Sequence, residues 1–483
     1  MRSQFLNYKI LALVLLVALF YIGLMFISSL VYERQSYQDY FIQDISKNQI
    51  SEQNVISPYL IVPYKHTDTC QNELNKPYPC VVTQWLYVGA TDTRWTSAFE
   101  VSDDNYKRSI YRAISYNANL NAEGEFATPF APRDYQWDKA EIVLPIRDSR
   151  GLKSMPTLQI AGKNYQFNLV QSKEQSHFDI LSIRMSQQPE LIAFLQNGFK
   201  FNTRIQLNGL SEFTLIPTSD RIAYQAKGNW SDIKYDGQLL PFTKSSQAKS
   251  FTAEWNNVAL GQANLQQISS CVEYECLKDF IAGAVQDNEA TSTALPEKVG
   301  ISTKFIQSID IYTQTDRAIK YGIMLILITF GSFFLFEILK GLRIHPIQYS
   351  LVAMAQGIFF VLLLSISEYY AFALAYLIAC IACVMLMTWY LYFVMHGLKP
   401  ALLFGIILSS LYSMMYLLLQ SSGKTFLMGS VLSFVLLTVV MYLTRHVNWY
   451  QLSRLDDQTD IDDTNTQSGL PAHARSPEQV TSE

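Results

Sequence analysis

Between positions 318 and 443 the chain carries only Lys320, Glu337, Lys340, Arg343, Glu368, Lys399 and Lys424 as charges. A water-soluble domain cannot be built from so apolar a stretch, whereas a membrane bundle can. Five apolar segments lie in it, at 318–339, 347–366, 370–395, 400–419 and 426–443, and each approaches the ~20 residues that a spanning helix needs. A sixth apolar run, 10–30, follows Arg2 and Lys9. It is longer than the roughly 7–15 residues of a cleaved signal peptide's core and ends without Ala-x-Ala. It reads as an uncleaved anchor, with cleavage near Ser28 and Ser29 as the rival.

Six spans put both termini on one side, and loop charge says which. Arg2 and Lys9, Lys340 and Arg343, His396 and Lys399, and Arg445 and Arg454 all fall together, on the side the positive-inside rule makes cytoplasmic. The opposite loops hold Glu368 and Lys424. The regions expected are a cytoplasmic N-terminus (1–9), a transmembrane anchor (10–31), a periplasmic β-rich domain (32–316), a five-helix transmembrane domain (317–444) and a cytoplasmic tail (445–483). The tail is acidic and has no apolar period, so it is expected to be disordered after about 455. A net charge of −4 provides no basic stripe for phosphates, which excludes a nucleic-acid partner.

The exported part changes character. Residues 31–45 can extend the anchor as a helix that packs on its own domain, with Tyr37, Tyr40, Phe41, Asp44 and Ile45 on one side. From Pro58 the apolar period shortens to two. Short strands rich in Val, Ile, Tyr and Phe are predicted at 59–64, 81–88, 109–117, 140–146, 158–160, 165–170, 177–185, 200–207, 212–216, 221–226, 250–255 and 305–312. Turns such as Asn208-Gly209 and Asp236-Gly237 break them. One helix, 189–197, interrupts the series, and 284–300 is a polar loop. The fold class is a membrane α-helical bundle of six transmembrane helices plus a mainly β, sandwich-like periplasmic domain.

Cysteines come in three pairs. Cys70 with Cys80, and Cys271 with Cys276, lie in the exported part and read as disulfides of an oxidising compartment. A metal site with His66 and Asp68 is the rival for the first pair, although its spacing matches no zinc pattern. Cys380 and Cys383 lie within a span and read as buried thiols. Catalytic signals are lacking. His66 and His177 are the exported domain's only histidines, and no HExxH, GxSxG or P-loop occurs. Asp148-Ser149-Arg150-Gly151 sets an acid beside a base, and it reads as a tight turn closed by an ion pair. Trp85, Trp95, Trp230 and Trp255 suit either a ligand platform or a sandwich core. No enzymatic activity, cofactor or metal is expected.

The joint at 312–321, Y-T-Q-T-D-R-A-I-K-Y, has no Pro- or Gly-rich linker, and Thr315 or Asp316 is placed to cap the helix that opens there. Within the bundle, Ala371, Ala375, Ala379 and Cys383 form one stripe of small residues, and Ala401, Gly405, Ser409 and Ser413 another. Such stripes predict close packing of the two helices. Glu337 is the only candidate for a charge that marks an ion or substrate path within a span; it sits near Lys340 and Arg343 and reads as an interfacial pair. Thr329 and Gln356 are the other polar groups at depth.

Several stretches resemble the CreD family of bacterial inner-membrane proteins. They are T-D-R-A-I-K-Y-G from Thr315, F-L-F-E from Phe334, H-P-I-Q-Y from His345, S-E from Ser367 and T-R-H-V-N-W-Y from Thr444. In the exported part they are R-S-I-Y from Arg108, D-S-R-G from Asp148, L-N-G from Leu207 and F-T-A-E-W from Phe251. The resemblance spans nearly the whole chain. It departs after Trp230, where S-D-I-K-Y-D-G replaces a proline-containing turn, and in the cysteine pairs. It implies a Gram-negative inner membrane and a role in envelope integrity under stress-responsive control. It supplies no reaction and no catalytic residue. The coupling candidates are Thr315, Asp316, Arg317, Lys320, Tyr321, Glu337, His345, Pro346, Gln348, Glu368, Asp148 and Arg150. Membrane lipids are the expected partners, with envelope proteins or peptidoglycan as candidates. The alternative is an envelope-stress sensor or lipid-handling protein with a ligand on the periplasmic domain.

Overall fold

The computed structural model describes residues 2–71, 75–127, 133–171, 178–247, 249–270, 277, 299–306, 311–340, 344–395, 397–420 and 425–445. Cys271, Cys276, His177, His396, most of the 284–300 loop and the tail beyond 445 lie outside them. The chain forms two compact units, one of Ser36–Ser308 and one of Met1–Gln35 with Ile309–Glu483.

Helix α1, Arg2–Asn48, contributes residues to both units. Among the described residues eighteen strands follow. They are β1 (Gln53–Ile56), β2 (Tyr59–Gln71), β3 (Pro77–Gly89), β4 (Asp92–Arg108), β5 (Tyr111–Phe126), β6 (Asp134–Tyr135), β7 (Glu141–Ile146), β8 (Thr157–Ile160) and β9 (Lys163–Gln166). After these come β10 (Asn168–Gln171), β11 (Asp179–Arg184), β12 (Phe199–Leu210), β13 (Glu212–Ile216), β14 (Arg221–Gly228), β15 (Ile233–Gly237), β16 (Thr243–Gln247), β17 (Ser250–Asn257) and β18 (Ile301–Phe305). Among the described residues two short α-helices, α2 (Ile192–Asn197) and α3 (Leu260–Ser269), interrupt them.

The strands make two sheets. One runs β10-β11-β7-β1-β13-β18-β15, with β2 added on β7 and carrying β3 and β6. The other runs β16-β17-β14-β4-β5-β12-β8-β9. Burial alternates strictly along β14 and β17, as expected of a sheet with one wet face. By contrast β1 and β13 are buried throughout. Side chains of both sheets meet in one core, where the rings of Phe99, Tyr116, Phe213, Phe251 and Phe305 stand 5.2–6.5 Å apart in the contacts they make. The domain is therefore a β-sandwich. The far side of the first sheet is covered too, with Ile56, Tyr59, Val143, Ile180 and Ile216 packed under Leu265 and Ile268 of α3.

Three local expectations fail for identifiable reasons. Asn208 and Gly209 lie inside β12 rather than in a turn. Gly209 is needed there because a Cβ would strike the Tyr116 hydroxyl and the Gln53 side chain. Ser109 is a turn residue at φ 59°, not the start of a strand. The strand expected at 305–312 ends at Phe305, and Tyr312 belongs to a helix. The departure after Trp230 folds as β15, paired with β18.

In the other unit the helices are α4 (Ile311–Lys340), α5 (Pro346–Ser367), α6 (Phe372–Val394), α7 (Leu398–Gln420) and α8 (Thr425–Thr444). Among the described residues, five helices are long and apolar enough to cross a membrane: α1, α4, α5, α6 and α7. The uncharged 20-residue α8 occupies the place of the sixth expected span. Phe20 and Leu24 of α1 are buried with α4 and α5, and Gly322 lets them approach, since a Cβ there would stand 3.0 Å from Leu24 and 2.8 Å from Phe360.

The small-residue stripes pack otherwise than expected. Gly405 of α7 receives Thr388 of α6, the Cys383 thiol of α6 points at the Ala355 carbonyl of α5, and Ser413 is exposed. Between the two helices the Tyr376 hydroxyl of α6 donates to the Tyr412 carbonyl of α7 at 2.7 Å.

Candidate functional site

Three stretches far apart in sequence close around the last turns of α1. A helix leaves its final carbonyls without partners of its own. At α1 two of these are served by one guanidinium. Arg150 Nη1 donates to the Lys47 carbonyl at 2.8 Å and Nη2 to the Ser46 carbonyl at 3.2 Å. A cation at this place also complements the negative end of the helix dipole.

Arg150 is aimed by Asp148. Its Nε reaches Oδ1 at 2.8 Å and its Nη2 reaches Oδ2 at 2.6 Å. Asp148 has no solvent exposure, and a buried carboxylate persists only when its oxygens are occupied. Here they also accept the Arg150 backbone N–H, the Ser51 N–H and, at 2.9 Å, the Ser51 hydroxyl. The hydrogen bonds that Arg150 donates to Asp148 raise the Arg150 pKa, so the clamp stays charged at any working pH. The short 3-10 turn Ser149–Gly151 is held on its other side by Asp179, which accepts from the Ser149 N–H at 2.6 Å.

Gln53 links this turn to the second stretch. Its Nε2 donates to the carbonyls of Asp148 and Asn208, each at 3.1 Å. D-S-R-G and L-N-G therefore meet, and both glycines are explained by it, because a Cβ on Gly151 or Gly209 would strike Gln53. The third stretch, R-S-I-Y, closes the other flank. Arg108 pairs with Asp44 at 3.1 Å and lies over the Phe41 ring, which Tyr111 also touches. Phe41 and Ile45 are buried against Ala113 and Leu210. The extension of the anchor thus packs on its own domain as expected, but through Phe41 and Ile45; Tyr37 and Tyr40 stay exposed.

The joint residues form separate clusters within the bundle unit. Thr315 and Asp316 lie inside α4 instead of capping it, because the helix already opens at Ile311. The Thr315 hydroxyl donates to the Ile311 carbonyl at 2.8 Å, and Asp316 pairs with Lys320 at 2.6 Å. Arg317 is exposed and Tyr321 half-buried. Glu368 follows α5 and pairs with Arg34 of α1 at 3.6 Å.

At α5's opposite end His345, Pro346 and Gln348 form a capping box. The His345 ring accepts from the Ile347 N–H, and the Gln348 side chain accepts from the His345 N–H at 3.1 Å. Glu337 accepts from the Tyr349 hydroxyl at 3.1 Å, a partner the sequence did not suggest. The side chains of Lys340 and Arg343 lie outside the described residues.

Arg34, Ser51, Gln53 and Asp179 escaped the sequence reading, and Asp44 was placed on the packed side of its helix without its partner Arg108. Only chain topology brings them to their partners, and no spacing rule announces it. Arg108 was visible as part of a motif, without its role. Cys70 and Cys80 are joined as a disulfide. Among the described residues no group of His, Cys, Asp and Glu is placed to hold a metal. The tryptophans do not assemble. Trp95 and Trp255 lie in the sandwich core, Trp230 donates to the Ile306 carbonyl, and Trp85 is exposed on β3.

Residues 5–450 match the family model described as inner membrane protein CreD. The chain belongs to the CreD family. This CreD-family chain is similar to the inner membrane protein CreD of Escherichia coli (strain K12), at 27% identity over 355 residues, covering 72% of the chain and 73% of the relative. Membership and the apolar helices make it a multi-pass inner-membrane protein. Among solved structures, an M1 zinc metallopeptidase from Deinococcus radiodurans matches 35% of the chain and 38% of its own at 8% identity, with a TM-score of 0.17. So slight a likeness bears on neither fold nor chemistry.

Proposed function

We propose that this CreD-family chain supports cell-envelope integrity without catalysing a reaction. Its sandwich stands in the periplasm, both chain termini are cytoplasmic, and α1 couples the sandwich stiffly to the bundle. The observation that carries this reading is the clamp. One uninterrupted helix, Arg2–Asn48, contributes its apolar half to the bundle unit and has its last carbonyls gripped by Arg150. Three of the stretches that resemble the family, R-S-I-Y, D-S-R-G and L-N-G, meet at that grip. The non-enzymatic reading draws on Asp148: the strongest acid-base candidate in the sequence is buried, and its oxygens are committed to holding Arg150 and Ser51.

A flexible Gly-Ser spacer inserted between Gln35 and Ser36 tests the coupling. The variant is expected to accumulate normally and to fail in restoring detergent resistance to a strain that lacks the gene. Full restoration would overturn the mechanical reading. Orientation is tested by reporters fused after Arg454, expected inside, and after Gln420, expected outside. A ligand-sensing role is disfavoured because the four tryptophans share no surface.

A further inference from the structure

We infer that the edge of β3 that no described strand pairs with is a self-association site that pairs with β3 of a second copy of this chain. The β2–β3 hairpin projects as an arm. From His66 outward β2 pairs only with β3 among the described residues, and nearly every residue there is exposed. A bare two-stranded ribbon is marginal in water, and the Cys70–Cys80 disulfide staples this one. The chain thus maintains an arm that its own core does not need.

The arm presents its outer edge in a defined register. Pro63 of β2 faces Trp85, and the Pro63 carbonyl accepts from Gln136 N–H on the side away from β3. Pro63 and Trp85 are therefore a non-hydrogen-bonded pair within the hairpin. The backbone groups of Trp85, and by the two-residue period those of Thr83 and Val81, point to the open edge. Among the described residues β3 pairs with no strand but β2. Pro77 and Pro79 share this parity and have no N–H to offer, so they end the usable edge, a common way of limiting strand addition.

The occupant follows from self-complementarity. A two-fold axis at Thr83 sets Thr83 against its copy and Val81 against Trp85 of the other chain, a favourable β-branched and aromatic cross-strand pair. These side chains are 68% and 57% exposed, so the pairing would take apolar surface of both out of water. Roughly six edge hydrogen bonds form, two per residue pair, before proline stops the ladder. No residue from Pro77 to Gly89 is charged. The nearest like charges, Lys65 and its copy, would stand three strand spacings apart, about 14 Å, beyond the ~8 Å screening length.

The test uses the full chain in native membranes. Thr83→Cys is expected to give a reducible band of twice the mass, since the paired Cα atoms would lie about 5.5 Å apart. Thr67→Cys, on the same face but one strand inward, is expected to give none. Thr83→Pro removes two edge donors yet fits the hairpin, where prolines of that parity already occur. It is expected to weaken dimerisation about thirtyfold while the melting transition stays put. No dimer with Thr83→Cys, cross-linking to a different protein instead, or undiminished dimer with Thr83→Pro would each overturn the proposal.

Discussion

Replacing Arg150 with methionine keeps most of the side chain's volume and removes the clamp. The lost contacts are two hydrogen bonds to Asp148 and two to the end of α1. Breaking a buried ion pair from one side costs about 3–5 kcal/mol, because the remaining charge is left stranded. Two features reduce that figure here. Arg150 is 39% exposed, so water already screens part of the pair. Ser51 also keeps its two bonds to the carboxylate. About 2–3 kcal/mol is the expected loss, or a fall of roughly 5–10 °C in the sandwich's melting transition. Intrinsic fluorescence of the full chain in detergent reads it, and proteolysis should show early cleavage at the end of α1. The double variant Arg150→Met with Asp148→Asn strands no charge and should recover part of the loss. A single variant melting within about 1 °C of the parent, or a double variant whose loss is the sum of the singles, would refute the clamp.

Three further outcomes are expected. Burial raises the pKa of Tyr116 and of Tyr224 above the usual tyrosine value of 10.0, so both favour the neutral form when folded. Their stabilisation is complete below pH 10 and is lost as pH rises beyond it, by about 1.4 kcal/mol per pH unit for each tyrosine; Tyr116→Phe with Tyr224→Phe should flatten the alkaline limb of a pH titration of stability. In the bundle, the Gln356 side chain donates to Thr329 at 2.6 Å while both are wholly buried, so Thr329→Val should cost about 1 kcal/mol, and adding Gln356→Leu should restore melting towards the parent value. Cys70→Ser with Cys80→Ser should leave the main transition unmoved but lower the arm's local stability by about 2–3 kcal/mol, seen as first cleavage within the β2–β3 hairpin.

The membrane class, the anchor and the sandwich were legible in the sequence because period and charge are local properties. A span needs only ~20 adjacent apolar residues, and a half-wet strand needs only alternation. Chain order alone likewise suggested a turn closed by Asp148 and Arg150, two positions apart. What that turn holds was not legible. Ser46 and Lys47 stand about a hundred residues away from it, and a helix end has no sequence mark for the side chain that will serve it. Gly151 and Gly209 look like turn glycines until Gln53 is seen between them. The small stripes of α6 and α7 named two neighbouring helices correctly, and Gly405 does face α6, but Cys383 of the α6 stripe turns to α5 and Ser413 of the α7 stripe is exposed. Local pattern determined which segments cross, pair or turn; only the folded chain decided which distant polar groups meet, since a buried charge accepts whichever partner the topology delivers and pays heavily for none.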